Sequence, residues 1–149
     1  MSEHTANIEW RRGESTFEYE TYSRNHLWKF DNGLTVEASA AEGFLGDAAN
    51  IDPEEAFVAS LSSCHMLTFL AICAKKRITV ETYEDRAVGH LGKDDEGSLA
   101  VILVELRPNT TFAGENPSPE ELRELHAKAH HHCFIANSVK TEVVTLLDD

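Results

Sequence analysis

The sequence has little positive charge. Its 13 lysine and arginine residues stand against 26 aspartate and glutamate residues, for a formal net charge of −13. A chain this acidic repels the phosphate backbone of nucleic acids and the headgroups of anionic membranes. We therefore expect no nucleic-acid partner and no membrane-surface role, and the charge itself is typical of a chain kept soluble by its surface.

Cysteine is also scarce. The three cysteines, Cys64, Cys73 and Cys133, form no CxxC pair and do not resemble the framework of a disulfide-stabilised secreted domain. The polar N-terminus lacks the apolar segment of a secretory signal. Both observations favour the cytoplasm, where a cysteine is either a small core residue or a chemically active one.

Several motifs that would name a chemistry are missing from the sequence. It contains no Gly-rich phosphate loop, no GxSxG nucleophile elbow and no HExxH metal motif. It also contains no internal repeat, and 149 residues are a usual length for one domain. We predict a single domain over residues 1–149 that needs no bound cofactor.

The signals for strands and helices follow one another without the regular alternation of a doubly wound sheet. Asp31, Asn32 and Gly33 mark a hairpin turn, because Asn-Gly tolerates the positive φ that such turns require. The predicted fold class is α+β. Its predicted strands cover residues 15–22, 26–30, 34–38, 78–91, 99–106, 110–112 and 141–147.

The first predicted helix begins with an N-cap at Asp52 and Pro53 at the first helical position. Residues 56–74 carry no fixed charge, and apolar side chains fall on every face. Such a helix is buried in a core or in a membrane. Polar residues inside the segment argue against a membrane span: Ser60, Ser62, Ser63, His65 and Thr68.

A second helix is predicted from the N-cap Ser118 towards Lys140, with Cys133 on its apolar stripe. Packed helices have axes about 8–10 Å apart, which could bring Cys64 and Cys133 within disulfide reach. The spacing alone nevertheless favours two unrelated core cysteines over a reactive pair.

A reactive Cys64 would need a lowered pKa. The helix dipole does not lower it, since Cys64 lies well beyond the first turn, and burial favours the neutral thiol. His65 points about 100° away around the helix. The cation must therefore come from elsewhere, and the upstream candidates are Arg11, Arg12 and Arg24.

Histidines in the second helix suggest an alternative chemistry. His126, His130 and Cys133 occur at i, i+4 and i+7, on one helix face, next to His131 and His132. Imidazole and thiolate are common zinc ligands, so one alternative hypothesis is a His/Cys metal-binding protein. Solvated histidines near a helix C-terminus are the other interpretation.

Three segments together resemble a known family. They are Asp52-Pro53-Glu54-Glu55-Ala56, the mid-helix Ser62-Ser63-Cys64-His65, and the segment that runs from Cys133 to Val139. The chain resembles the OsmC/Ohr family of thiol-dependent peroxidases, which includes osmotically inducible protein C and the organic hydroperoxide resistance proteins. The resemblance, to the OsmC-like branch, implies antiparallel sheets around two long helices in an intertwined homodimer.

The resemblance implies peroxiredoxin-like chemistry under oxidative stress. Cys64 would be the peroxidatic thiolate that reduces organic or lipid hydroperoxides, and Cys133 would resolve its sulfenic acid as a disulfide. An external dithiol, with dihydrolipoyl groups as one candidate, would then reduce the disulfide. Apolar residues predicted near the cysteines favour a greasy substrate: Phe57, Leu61, Phe69 and Phe134.

In the family an arginine held by a glutamate stabilises the thiolate. Glu54 matches that glutamate by position, and Arg24 is our choice for the arginine. Ten helical residues span about 15 Å and rotate Glu54 by about 80° from Cys64, so one arginine reaches both only through a bent first turn or the partner subunit. The remaining alternative is an OsmC-like redox-sensing or binding protein without efficient turnover.

Overall fold

The computed structural model describes residues 1–148, which form eight strands and two α-helices. They divide into two compact units, Met1–Ala56 and the part from Phe57 onward. The α+β prediction is confirmed, whereas the single-domain assignment stays a prediction. The elements are β1 (Asn7–Glu9), β2 (His26–Lys29), β3 (Thr35–Ala38), α1 (Pro53–Lys75), β4 (Val80–Asp85), β5 (Val88–Lys93), β6 (Leu99–Leu106), β7 (Pro108–Phe112), α2 (Pro119–His132) and β8 (Glu142–Thr145).

The N-terminal unit contains the antiparallel sheet β1-β2-β3. The predicted hairpin is present between β2 and β3, where Gly33 has a φ of 89° and the Phe30 amide donates to the Leu34 carbonyl at 2.9 Å. Only glycine adopts this φ without strain, which is why the Asn-Gly signal located the turn.

The strand predicted over residues 15–22 is wrong. The segment forms turns, in which the Thr21 hydroxyl donates to the Thr16 carbonyl at 3.0 Å and the Tyr22 amide donates to the Glu18 carbonyl at 3.1 Å. The alternating aromatics pack locally instead, with the Phe17 and Tyr22 rings 5.0 Å apart. Local threonine hydrogen bonds therefore override a period-two pattern here.

Helix α1 begins where the sequence predicted. Asp52 Oδ1 accepts from the Glu55 amide at 2.7 Å, and Glu55 Oε1 accepts from the Asp52 amide at 3.2 Å, which completes a capping box. The helix ends at Lys75, followed by Arg77 with a φ of 62°. A left-handed residue just past the last turn is a common helix terminator.

The expectation that α1 is buried on every face is wrong for the single chain. One stripe at a spacing of four residues is buried, whereas Leu67 is 60% exposed. By length and composition α1 could cross a membrane, criteria that the core helix of a soluble protein also satisfies, and 22% of its most apolar window is buried. The buried stripe consists of Leu61, His65, Phe69 and Cys73.

The C-terminal unit contains two sheets, the antiparallel pair β4-β7 and the sheet β5-β6-β8, in which β6 and β8 run parallel. Its core consists of two apolar clusters, which we call the upper and the lower cluster. The upper cluster joins α1 to β6 through Leu61, Val104 and Leu106. The lower cluster joins α1 to α2 through Phe69, Cys73, Leu125 and Ala129.

The single strand predicted over residues 78–91 is two strands. The β4-β7 pair gives way to the β5-β6 pair at residues 86 and 87, opposite Arg107, where the chain leaves one sheet for the other. The Arg107 amide, which has no ladder partner at this bend, donates to Asp85 Oδ1 at 2.6 Å. A carboxylate thus replaces the lost strand partner.

The second helix is shorter than predicted. It starts at the predicted cap, where Ser118 Oγ accepts from the Glu121 amide at 3.1 Å, but it ends at His132 rather than near Lys140. Cys133 is the C-cap, with φ −70° and ψ 115°. Cys133 therefore lies at the end of the helix and not on its apolar stripe.

Candidate active site

Cys64 lies in the middle of α1 and is partly exposed. Its carbonyl accepts the Thr68 hydroxyl at 2.9 Å in addition to the helix hydrogen bond. It immediately precedes His65, which is on the buried stripe and 1% exposed. Cys64 therefore lies at the edge of the core, where solvent or a small substrate can reach a side chain.

Cys133 is 1% exposed and firmly held by the backbone around it. Its amide donates to the His130 carbonyl at 3.3 Å, and its carbonyl accepts from the Asn137 amide at 3.0 Å. Its Sγ accepts the Ala136 amide at 3.4 Å. The helix end thus fixes both the position and the direction of this thiol.

Cys64 is a close neighbour of Cys133, since its side chain is among the groups that raise the pKa of the Cys133 thiol. Burial raises the pKa of Cys133 above its usual value, the Ala136 amide opposes that shift, and the neighbouring Cys64 thiol adds to it. All three cysteines are free thiols. α1 and the end of α2 therefore place a partly exposed thiol against a buried one.

Cys73 differs from these two cysteines. It is 0% exposed and belongs to the lower cluster, beside Phe69 and Leu125. Burial raises its pKa, and the charge of Glu121 raises it further. A neutral thiol in an apolar surrounding is a poor nucleophile, so Cys73 is a packing residue.

The sequence did not predict the contact that lies next to the thiols. His65 Nε2 and His126 Nδ1 are 2.9 Å apart, and the two side chains are 1% and 2% exposed. The spacing of Leu61, His65 and Phe69 at every fourth residue places His65 on the buried stripe, and that signal could have indicated a buried partner.

Burial in this apolar surrounding lowers the pKa of each histidine to about 4. Desolvation is the main cause for both, the charge of His130 lowers the pKa of His65 further, and Asp85 opposes that shift. The pair is therefore neutral at pH 7. Among the described residues, His65 Nδ1 and His126 Nε2 are buried nitrogens without a hydrogen-bond partner.

The His/Cys metal hypothesis does not fit this arrangement. His126 is bonded to His65 and Cys133 faces Cys64, whereas the other histidines of the predicted cluster, His130, His131 and His132, are exposed. Within residues 1–148 no group of three or more histidine, cysteine, aspartate or glutamate side chains could hold a metal ion.

Ser62, two residues before Cys64, is bound to a neighbouring strand. Its hydroxyl donates to Asp85 Oδ2, the carboxylate whose other oxygen accepts the Arg107 amide. The same carboxylate lies near Tyr83, whose buried hydroxyl has a raised pKa because of burial and the charge of Asp85. The serine therefore ties the Cys64 turn of α1 to the end of β4.

Arg24 and Glu54 are in the N-terminal unit, where they line one pocket of about 230 Å³ together with His26 and Pro53. The Arg24 guanidinium donates to the carbonyls of Tyr22 (2.6 Å) and Tyr19 (2.5 Å) and lies 3.6 Å from the centre of the Tyr22 ring. The predicted role of Arg24 and Glu54 in activating Cys64 stays a prediction.

Two of the four apolar residues expected beside the cysteines lie in the core instead. Leu61 belongs to the upper cluster and Phe69 to the lower one, so both are core side chains. Phe57 is partly buried against the upper cluster, and Phe134, next to Cys133, is 81% exposed. Only Phe134 is left as an exposed aromatic group beside a thiol.

Comparison with known proteins agrees with this fold. The sequence model of the family described as OsmC-like protein matches residues 46–147. An OsmC-like protein of unknown function from Vibrio cholerae is 50% identical, with a TM-score of 0.94 over 99% of this chain and 100% of that chain. A search of curated proteins gives no significant match.

Two solved structures with lower identity share the fold. An organic hydroperoxide resistance protein from Elizabethkingia anophelis is 24% identical, with a TM-score of 0.72 over 99% of this chain and 98% of that chain. An organic hydroperoxide resistance protein OsmC from Legionella pneumophila is 20% identical, with a TM-score of 0.72 over 99% of this chain and 97% of that chain.

Proposed function

Because the chain belongs to the OsmC-like protein family, we propose that it is a cysteine-based peroxidase that reduces organic and lipid hydroperoxides under oxidative stress. One observation carries the proposal: a partly exposed thiol, Cys64, lies against a buried one, Cys133. The names of two relatives with the same fold, both organic hydroperoxide resistance proteins, favour this substrate class.

In the first step the Cys64 thiolate attacks the distal oxygen of the hydroperoxide. The O–O bond breaks, the alkoxide takes up a proton and leaves as the alcohol, and Cys64 becomes a sulfenic acid. The substrate is reduced by two electrons and the sulfur is oxidised by two. The partial exposure of Cys64 gives the hydroperoxide access to the thiolate.

In the second step Cys133 attacks the sulfenic sulfur of Cys64. The new S–S bond forms, the S–O bond breaks, and the hydroxyl leaves as water with the proton from Cys133. The raised pKa of Cys133 keeps it protonated until then, which protects the resolving thiol from direct oxidation. An external dithiol, with dihydrolipoyl groups as the first candidate, then reduces the disulfide.

We assign the activating cation to Arg24, and Glu54, which lines the same pocket, is the carboxylate that would hold it. A guanidinium fixed by two backbone carbonyls, in a pocket shared with a carboxylate, has the rigidity that thiolate stabilisation requires. A cation beside a thiol favours the thiolate form. Arg11 and Arg12, which are exposed, are the alternatives.

A cytoplasmic homodimer is the proposed assembly. One face of the apolar helix α1 is exposed in the single chain, and on this face Leu67 is 60% exposed. A second copy that covers this face would bury it, as apolar patches of this kind usually require. Sedimentation of the purified protein tests this assignment, and a monomer at micromolar concentration would contradict it.

Turnover separates the peroxidase from a redox sensor with the same thiols. With an alkyl hydroperoxide and excess dihydrolipoamide, the peroxidase consumes many equivalents of hydroperoxide per protein, whereas a sensor consumes about one. Cys64→Ser should abolish consumption, and Cys133→Ser should accumulate the sulfenic acid, which a dimedone-type reagent labels. Oxidation limited to one equivalent, with dithiol present, would favour the sensor.

A further inference from the structure

The buried histidine pair lies between the elements that carry the two thiols. His65 follows Cys64 directly in α1, and His126 lies in α2 about two helical turns before Cys133. An inference drawn from this pair rests on the proposed function, because that function gives the two thiols their importance.

The two rings meet edge to edge. Their centres are 5.2 Å apart, their planes differ by 3°, and the nearest nitrogens are 2.9 Å apart. The Phe69 ring stacks on His126 at 4.2 Å with an angle of 14°. Packing on the face of one ring and a hydrogen bond at its edge leave the pair a single orientation.

In residues 1–148 this is the only side-chain hydrogen bond that joins α1 to α2. The lower cluster adds apolar contacts between the helices, where Phe69 and Cys73 meet Leu125 and Ala129. Apolar contacts are non-directional and tolerate a small rotation of a helix, whereas a hydrogen bond does not.

Stability alone does not explain two histidines at these positions. Each is desolvated and leaves one buried nitrogen unpaired, which costs free energy. A pair of leucines would fill similar space without that cost, just as apolar residues can replace buried ion pairs in other proteins without loss of stability. A directional contact that costs stability is best explained by the geometry that it fixes.

We propose that the His65–His126 hydrogen bond sets the rotation of α1 against α2 and thereby holds the Cys64 thiol against the Cys133 thiol. Both histidines are positioning residues, which act on the reaction through the cysteines and do not touch the hydroperoxide. Their effect is on the effective concentration of one thiol at the other.

The disulfide equilibrium with glutathione measures that concentration directly. Two thiols of the protein and one glutathione disulfide give the Cys64–Cys133 disulfide and two glutathione molecules, so atoms and electrons balance without any hydroperoxide. In the double variant His65→Leu/His126→Leu we expect the protein to stay folded and the equilibrium constant for disulfide formation to fall about tenfold.

The conservative double variant His65→Gln/His126→Asn is the rescue. The glutamine amide can place a nitrogen near the original Nε2, and the asparagine amide can place an oxygen near the original Nδ1, so the hydrogen bond can re-form. We expect its equilibrium constant to return to within about twofold of the wild-type value. A wild-type constant in the leucine variant would overturn the proposal.

Leu122→Ala is the matched control. Leu122 packs against the lower cluster on α2, so its truncation loosens the same helix contact without removing the histidine pair. We expect the disulfide equilibrium to stay within twofold of wild type, and an equal tenfold loss would show that any loosening suffices. If the leucine double variant does not fold, His126→Asn and His126→Leu are compared, and equal constants contradict the proposal.

The outcome is separable from that of the proposed function. If the wild-type protein fails to turn over hydroperoxide but its disulfide equilibrium responds to the histidine variants, the positioning role stands and the peroxidase proposal fails. If turnover is efficient but the histidine variants do not change the disulfide equilibrium, the peroxidase proposal stands and the positioning role fails.

Discussion

Two neighbouring parts of α1 differ in character. Phe69 and Cys73 belong to the lower apolar cluster, and the Cys73 thiol is a neutral core group. One to two turns earlier, Cys64 and His65 face Cys133 and His126. The same helix therefore carries an inert cysteine and a candidate reactive one. They differ in their neighbours: Cys73 lies among apolar side chains, whereas Cys64 lies beside a second thiol.

The comparison also shows where stability and function separate. The lower cluster stabilises the fold by burying apolar area, about 25 cal/mol per Å². The histidine pair costs desolvation free energy, and we propose that in return it fixes the rotation of α1 against α2. Four experiments test this difference, and they follow in order of expected effect.

The largest effect should come from substitution of Cys64. Cys64→Ser should lower peroxidase turnover by roughly a thousandfold or more, because it removes the nucleophile. Cys73→Ser, the matched control on the same helix, should keep turnover within about twofold. Initial rates with an alkyl hydroperoxide and a dithiol measure both. A Cys73 variant as inactive as the Cys64 variant would contradict the contrast.

Stability should respond in the opposite way. Phe69→Ala removes the largest fully buried side chain and should lower the free energy of unfolding by about 3–5 kcal/mol. Cys64→Ser, at a partly exposed position, should change it by less than about 1 kcal/mol. Urea unfolding followed by circular dichroism measures both values. Equal losses would mean that the Cys64 turn belongs to the apolar core.

The histidine pair should give the protein an acid-sensitive stability. Both histidine pKa values are about 4 in the folded chain, against the ordinary value of 6.5 in an unfolded chain, so the unfolded chain binds more protons between these limits. The stability that comes from keeping the two histidines neutral is complete above pH 6.5 and is lost as the pH falls towards 4. We expect a loss of about 3 kcal/mol for each histidine that gains a proton on unfolding.

His65→Leu/His126→Leu provides the matched comparison for that pH profile. Other acid-sensitive carboxylates are the same in both proteins, so the difference between their unfolding curves isolates the pair. The leucine variant should lose less stability between pH 6.5 and 4. Parallel profiles would show that the histidines are not buried neutral groups.

The smallest effect concerns the activating cation. Arg24→Ala should raise the pH at which Cys64 becomes reactive by about one unit, since a cation next to a thiolate lowers the thiol pKa by roughly that amount or more. The rate of alkylation by iodoacetamide against pH measures the shift. Arg11→Ala is the control, and a shift in that variant instead would transfer the role to Arg11.

Much of the fold could be predicted from local signals. The cap at Asp52, the turn at Gly33 and the strongly apolar strand β6 are in place because each depends on a few neighbouring residues. The strand prediction for residues 15–22 was wrong because the hydrogen bonds of the Thr21 side chain stabilise a turn there instead. The predicted end of α2 was wrong because the apolar spacing in the sequence continues past Cys133, although the helix has already ended.

The candidate site could be predicted only in part. The cysteines were found from their place in two predicted helices and from a resemblance, but the pairing of His65 with His126 joins residues far apart in the sequence. No pattern among neighbouring residues of the sequence predicts a contact over such a separation. The interpretation of His126 as a metal ligand failed for the same reason, because the partner of a buried histidine is fixed by tertiary packing.

The contact between Cys64 and Cys133 is the central claim, and disulfide mapping tests it most directly. One equivalent of an alkyl hydroperoxide is added to the reduced protein, which is then alkylated, digested and analysed by mass spectrometry. We predict rapid loss of two thiols, a Cys64–Cys133 disulfide, and Cys73 recovered as the alkylated thiol. Slow oxidation of all three cysteines at similar rates, without that disulfide, would contradict the account.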